Sequence, residues 1–303
     1  MTPQDDSLIP RIPIGDWTDS GIGWLKTNLS WLFDALRSVM SFLVDNLTDL
    51  LLLVPALAAI PLFALLALTL RSWKLAVGTV IGFLLVLSMG QWETMIQTMA
   101  LVLVATAFAV LVAVPLGVLA AVNSTVSAIV KPVMDFMQTM PAFVYLIPAV
   151  IFFSIGVVPG IFATIIFALP PGVRMTELGI RQVDSETVEA GEAFGATPWQ
   201  ILRGIQLPLA VPTIMAGVNQ VIMLALSMAV VAGMVGADGL GKEVVQAIST
   251  QNLPLGVEAG LSVVILAVFL DRLTAALGSP GEYRTSLLSL AQRAIAQRAT
   301  TGV

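Results

Sequence analysis

Glu189-Ala190-Gly191, then Gly195, then Ile205-Gln206-Leu207-Pro208 mark a charged, helix-forming segment wedged between long apolar runs. Residues 173–207 hold eight charges (Arg174, Glu177, Arg181, Asp184, Glu186, Glu189, Glu192, Arg203), whereas the flanking runs hold almost none. A membrane protein has little reason to keep such a segment in water unless something docks on it. The local grammar reads helix, glycine, helix. Asp184 or Ser185 can cap a first helix through Phe194, and Gly195 suits the left-handed position that closes it. Thr197 is then a good N-cap, Pro198 fits the first turn, and Gln200 stands at the capping-box spacing. The second helix is expected to run on toward Pro208, giving a knob with a rigid glycine corner.

Composition places the surroundings of this segment in a bilayer. Of 303 residues, 57% are hydrophobic and 11% charged, with a mean hydropathy of +0.95; soluble domains carry about 25% charged residues. The net charge is -5. Residues 1–49 hold seven acids (Asp5, Asp6, Asp16, Asp19, Asp34, Asp45, Asp49) against three bases (Arg11, Lys26, Arg37). That acidic arm argues against nucleic acid as a partner. With no Cys and no His, disulfides, thiol chemistry, Cys/His metal sites and His-dependent triads are excluded. The first residues lack a basic stretch followed by an apolar core, so no cleavable signal peptide is expected.

Seven segments have the length and character of spans, near 50–70, 75–90, 97–122, 133–153, 157–172, 209–235 and 256–277. Prolines recur within them (Pro55, Pro61, Pro115, Pro148, Pro212), which predicts kinked helices. Arg71, Lys74, Lys131, Arg174, Arg181, Arg203, Arg272, Arg284, Arg293 and Arg298 all fall on one side if the N-terminus is outside and the C-terminus inside. The opposite short loops contribute only Lys242. The expected fold is therefore an all-α polytopic membrane protein with about seven transmembrane helices, N-out and C-in.

Ahead of the first span, Leu29, Leu32, Phe33, Leu36, Val39, Met40, Leu43, Val44 and Leu47 recur at helical spacing. Ser30, Asp34, Ser38, Ser41 and Asp45 take the other face. This predicts an amphipathic helix over 29–47, lying along the outer membrane surface or against the bundle. The chain so divides into an extracytoplasmic acidic arm (1–49), accessory transmembrane helices (50–92), a core (93–278) with the loop 173–207, and a cytoplasmic tail (279–303). Gly236-Ala-Asp-Gly-Leu-Gly241-Lys242-Glu243 imitates a phosphate-binding P-loop, but Glu stands where Ser or Thr would hold magnesium. A turn and short helix at the outer gate is the expected structure there.

The order Glu189-Ala190-Gly191, Gly195, Ile205-Gln206-Leu207-Pro208 resembles the cytoplasmic loop by which permease subunits of ATP-binding-cassette (ABC) importers grip their ATPase partners. Gly191 departs from the commoner Ala. From about Met134 to Leu273 the chain resembles the permeases of osmoprotectant importers for glycine betaine, proline betaine and choline. Gln138-Thr139-Met140-Pro141-Ala142-Phe143-Val144-Tyr145, Ile166-Phe167-Ala168-Leu169-Pro170-Pro171 and Pro212-Thr213-Ile214-Met215-Ala216-Gly217-Val218-Asn219-Gln220 carry this resemblance, with Leu224-Ala225-Leu226-Ser227-Met228 and Gly239-Leu240-Gly241. It implies a type I importer permease core in a bacterial inner membrane and a second copy of the permease. It also implies two cytoplasmic ATPase subunits and an extracytoplasmic substrate-binding protein. On this reading the chain is no enzyme and holds no cofactor, ATP and magnesium being bound by the ATPases. Glu189, Ala190, Gly191, Gly195, Ile205, Leu207 and Pro208 are the implied coupling residues.

A quaternary ammonium favours aromatic faces. Phe143, Tyr145, Asn219, Gln220, Ser227 and Met228 are candidates to line the translocation path; alternatively the aromatics pack against lipid or helices and the polar groups bridge helices. Carnitine or an amino acid is the alternative cargo. An ion-coupled secondary transporter would carry intramembrane charges, and the acids here sit at span edges (Glu93, Asp135, Glu258). An intramembrane enzyme has only Ser/Lys or paired-Asp chemistry open to it, and no spans carry facing candidates.

Overall fold

The computed structural model describes residues 13–278; the start of the acidic arm and the tail 279–303, with Arg284, Arg293 and Arg298, lie outside the described residues. The described residues are helical throughout, without strands. The leading elements are α1 (Ile14–Asn28), α2 (Ser30–Leu52), α3 (Ala56–Leu70) and α4 (Trp73–Ser88). α5 (Trp92–Val122), α6 (Ser124–Thr139), α7 (Ala142–Phe153) and α8 (Val157–Arg181) follow. The short α9 (Ser185–Ala193) and α10 (Pro198–Ile201) lead into α11 (Leu207–Ala232), α12 (Leu240–Thr250) and α13 (Leu253–Gly278).

By length and composition, α5, α8, the run Pro198–Val235 and α13 can each cross a membrane. Two bent pairs bring the number to as many as six if each is one span, and α4 is a shorter apolar helix of 16 residues. The expectation of a single helix over 133–153 is corrected. α6 and α7 meet at 99°, because Pro141 has no N–H to give and holds Met140 in the extended region (ψ 134°). The segment 50–70 is corrected likewise. Its first residues finish α2, and Pro55 starts α3 after a 102° bend. The fifth span also runs past its expected end at 172, since α8 continues without a break to Arg181. Residues 173–181 are thus a buried helical stem, and the separate loop begins only at Gln182.

α8 is the centre of the fold. In its most apolar window 67% of the residues are buried, against 28% for α13. Lipid tails are as apolar as Leu, so helices in a bilayer associate through close packing rather than hydrophobic expulsion. Small residues provide it. A Cβ on Gly117 of α5 would lie 2.7 Å from the Val173 carbonyl of α8, and one on Gly172 of α8 would lie 2.8 Å from Ala113 of α5. On the opposite side, a Cβ on Gly217 of α11 would meet Met175 at 2.6 Å. α8 is therefore gripped by α5 and α11 at near-backbone distance.

The amphipathic helix settles against the bundle. Met40 and Val44 of α2 are 3% and 4% exposed, and Phe33 stacks on Phe152 of α7 with ring centroids 4.5 Å apart. Val39 departs from the expected face and stays exposed. α1 was not anticipated; its Trp17 and Trp24 are exposed, as is Trp31 one further heptad on. α3 and α4 fasten to α13 through aromatic edges, with Phe63–Phe83 at 5.5 Å and Phe83–Phe269 at 5.0 Å.

Gly117→Leu should force α5 from α8 at a cost of roughly 1–3 kcal/mol for overpacking, read as a lower thermal-unfolding midpoint of the purified protein. Gly78→Ala, where an added Cβ meets nothing within 4 Å, should leave the midpoint unchanged or slightly raised.

Candidate coupling site and translocation path

The knob forms as its residue types dictate. Asp184 caps α9, its Oδ1 accepting the Glu186 N–H at 3.1 Å. α9 closes with Gly195 at φ +81°, a left-handed conformation costly for any residue with a Cβ. The Gly195 N–H then donates to the Glu192 carbonyl at 2.8 Å and the Ala196 N–H to that of Gly191 at 3.1 Å. The capping box is complete: the Thr197 N–H donates to Gln200 Oε1 at 2.8 Å, and the Gln200 N–H returns to Thr197 Oγ1 at 3.4 Å. From Ile201 the chain passes through one π-helical stretch, Leu202–Gln206, directly into α11. Such widened turns occur mostly as single insertions in helices, and here it precedes Pro208, which cannot donate to a regular ladder.

Within the knob the predicted coupling residues divide into two sets. Glu189, Ala190, Gly195 and Pro208 are exposed. Gly191, Ile205 and Leu207 are inward ties. A Cβ on Gly191 would lie 2.8 Å from Ile205 Cδ1 and 3.5 Å from Ile201 Cγ1, so the glycine seats α9 directly on the turn that follows. Leu207 packs on the cluster of Ile180, Leu202 and Ala210. Two residues escaped the sequence reading: Phe194 is 93% exposed and Trp199 64%. Large aromatics in an otherwise polar loop were the available signal.

The stem of the knob carries a second constellation. Glu177 of α8 is 4% exposed, and its Oε1 accepts from Ser127 Oγ at 2.7 Å. The same oxygen lies 3.3 Å from Lys131 Nζ and 2.8 Å from Arg181 Nε. Arg181 also donates to the Ala120 carbonyl at 2.8 Å, and Arg174 pairs with Asp135. Together α5, α6 and α8 are cross-linked where α8 leaves the bundle, beside a cleft of about 330 Å³. Sequence spacing alone could not bring Ser127, Lys131 and Glu177 together.

The path candidates fall out as follows. Phe143, Gln220 and Ser227 are exposed on this chain, the Ser227 hydroxyl donating to the Met223 carbonyl. Tyr145 is buried, its hydroxyl donating to the Met137 carbonyl across the α6–α7 bend and its ring edge-on to Phe167. Met228 is 0% exposed and packs in the same cluster. Asn219 bridges α11 and α13: its amide donates to Asp271 Oδ1 at 2.9 Å, and its oxygen accepts from Thr274 Oγ1 at 2.6 Å. These three are helix ties.

The P-loop look-alike is a turn and the short helix α12. The Leu240 N–H donates to Thr98 Oγ1 at 2.8 Å, in the place where a phosphate oxygen would sit. Lys242 pairs with Asp238 at 2.7 Å; that hydrogen bond raises the Lys242 ammonium above its ordinary pKa. No group of three or more carboxylates suited to a metal occurs among the described residues.

A family model described as "Binding-protein-dependent transport system inner membrane component" matches residues 113–279, which hold the whole knob, its stem and every path candidate. The chain belongs to that family. The glycine betaine transport system permease protein OpuAB of Bacillus subtilis (strain 168) is 48% identical over 88% of this chain and 94% of its own. The glycine betaine/proline betaine transport system permease protein ProW of Escherichia coli (strain K12) is 44% identical over 90% of this chain and 77% of its own. These relatives place the permease in the glycine betaine/proline betaine/choline branch. Among solved structures, an inward-facing MetNI methionine ABC transporter matches with a TM-score of 0.57 and 25% identity, over 63% of this chain and 94% of the other. The permease is thus a multi-pass bacterial inner-membrane protein, and ATP hydrolysis belongs to separate subunits. Helices α1–α4 lie outside the matched residues.

Glu177→Gln removes the charge that balances Lys131 and Arg181. Because both bases are partly exposed, the expected loss is roughly 1–3 kcal/mol rather than the larger cost of a fully buried pair. Thermal unfolding of the purified permease measures it, and an unchanged midpoint would mean that the stem is held by α5–α8 packing alone.

Proposed function

We propose that this permease forms the membrane path of an ATP-driven importer for a quaternary ammonium osmoprotectant: glycine betaine, proline betaine or choline. Two copies pair, two ATPases dock beneath them, and a substrate-binding protein delivers cargo from outside. Seven spans run N-out and C-in: the α2–α3 and α6–α7 pairs, α4, α5, α8, α11 and α13. The observation that carries this reading is the knob itself. It is a capped helix, a left-handed glycine corner and a second helix continuous with α11, presenting Glu189, Phe194 and Trp199 to solvent. A segment built so stiffly and left so bare is suited to bear on another protein. ATP-driven closure of the ATPases moves the knob, and α8 and α11 carry the motion into the bundle. The spans reopen toward the binding protein, and hydrolysis resets them.

The cargo assignment is supported by the branch of the relatives and by the chemistry of the exposed spans. Phe143 offers a ring face to a quaternary ammonium, worth about 0.5–2 kcal/mol when well placed. Gln220 and Ser227 offer polar contacts on α11. A second cargo, carnitine, is favoured by one relative, the glycine betaine/carnitine transport permease protein GbuB of Listeria monocytogenes serotype 1/2a (strain 10403S), 47% identical over 88% of this chain.

Vesicles containing the permease with its ATPase and binding protein should accumulate labelled glycine betaine only with internal ATP. Gly195→Pro locks φ near −65° where +81° is required and should cut ATP-dependent uptake more than tenfold while leaving membrane insertion intact. Glu189→Ala should weaken ATPase co-purification. Undiminished uptake in both variants would refute the coupling role, and uptake driven by an ion gradient without ATP would refute the importer class.

A further inference from the structure

A groove lies between the accessory helices and the core. α4 and α13 touch at one level, where a Cβ on Gly82 would meet Ile265 Cγ2 at 2.9 Å. One turn nearer the α4 N-terminus the contact is gone, and a Cβ on Gly78 would have nothing within 4 Å. Beside that contact the two helices border a groove of about 450 Å³. Its walls are apolar: Leu75 and Phe83 from α4, with Val264 and Val268 from α13, the two valines 55% and 50% exposed. Its mouth is cationic. Arg71, Lys74 and Arg272 all line it, with Arg71 Nη1 donating to the Arg272 carbonyl at 2.7 Å. Arg272 Nε lies 3.6 Å from Asp271 Oδ2, whose other oxygen accepts from Asn219.

An apolar slot running along α4 and α13 and ending in three bases matches one class of molecule. We propose that the groove binds an anionic glycerophospholipid, with its phosphate on Lys74 and Arg272 and one acyl chain laid over Leu75 and Gly78. Basic pockets between transmembrane helices on the cytoplasmic side hold anionic headgroups by this arrangement. The tail 279–303 is disfavoured as occupant on charge, because it brings Arg284, Arg293 and Arg298 against one acid, Glu282. The lipid would fill the gap between a helix outside the 113–279 family match and α13 within it, so it would cement an accessory helix to the core.

Full-length permease in a mild nonionic detergent, titrated with dioleoyl phosphatidylglycerol or dioleoyl phosphatidylcholine and read by native mass spectrometry, tests this. Phosphatidylglycerol should be retained preferentially, and Lys74→Gln with Arg272→Gln should cut its retention roughly tenfold or more, to the level of phosphatidylcholine. Gly78→Leu, which fills open space and improves helix propensity, should lower retention of both lipids without impairing folding. Equal retention of the two lipids by the unmodified chain would overturn the proposal. So would full retention of phosphatidylglycerol in both variants, complete displacement by millimolar inorganic phosphate, or no uptake at all because the tail or a second copy fills the groove.

Discussion

The structure depends on how closely α8 can approach α5 and α11. In a bilayer the apolar side chains gain little by leaving lipid for one another, so van der Waals contact and a few hydrogen bonds must hold the bundle. Gly117 and Gly172 on one side of α8, and Gly217 on the other, remove the side chains that would keep the helices apart. The result is a dense central slab. α2, α3, α4 and α7 are laid around it, α2 and α3 with large aromatics and aliphatics and α4 with Phe83 beside the close approach of Gly82 to Ile265.

If the knob couples to ATPases as proposed, the slab explains how so small a loop acts on the whole bundle. The mostly buried part of α8 does not end where the expected span does, at 172, but continues to Ile180, with Arg181 at its exposed end. There Glu177 joins α6 to α8, and Arg181 reaches the α5 backbone. Beyond that stem the knob rests on its own inward contacts, Gly191 on Ile205 and Leu207 on Ile180. A push on α9 therefore has no soft joint in which to dissipate before it reaches α8 and α11. Ile205 and Leu207, read from sequence as contact residues, serve this stiffness. The bare surface is supplied by Glu189, Phe194 and Trp199.

Local chemistry was legible in the chain, and long-range partnership was not. Asp184, Gly195, Thr197 and Gln200 each carry their role in their own side chain or in the lack of one, and the knob follows from neighbours within a few residues. The spans were visible as apolar runs, but Pro141 was not among the prolines read as kinks, and it makes a corner of 99°. Hydropathy does not register direction, so 133–153 passed for one helix. Tyr145, Asn219 and Met228 were chosen for chemistry suited to a ligand. Each instead meets a partner far along the chain or across a bend, and no periodicity in α7 or α11 announces Phe167 or Asp271.

The energy source can be argued from the same contacts. A transporter that couples to an ion gradient needs an ionisable group that changes partners or protonation inside the membrane. Among the described residues Glu177 is the only buried acid or base. It sits one turn from the end of α8, with Ser127, Lys131 and Arg181 all directed at one of its oxygens. A carboxylate so supplied with donors and opposite charge serves as a tie between helices. Asp271, half-buried on α13, is likewise occupied by Asn219 and flanked by Arg272. The bundle thus contains fasteners where an ion-coupled transporter would contain a switch. That agrees with ATP hydrolysis residing in separate subunits, and on the proposed reading the rigid knob between α8 and α11 receives their force.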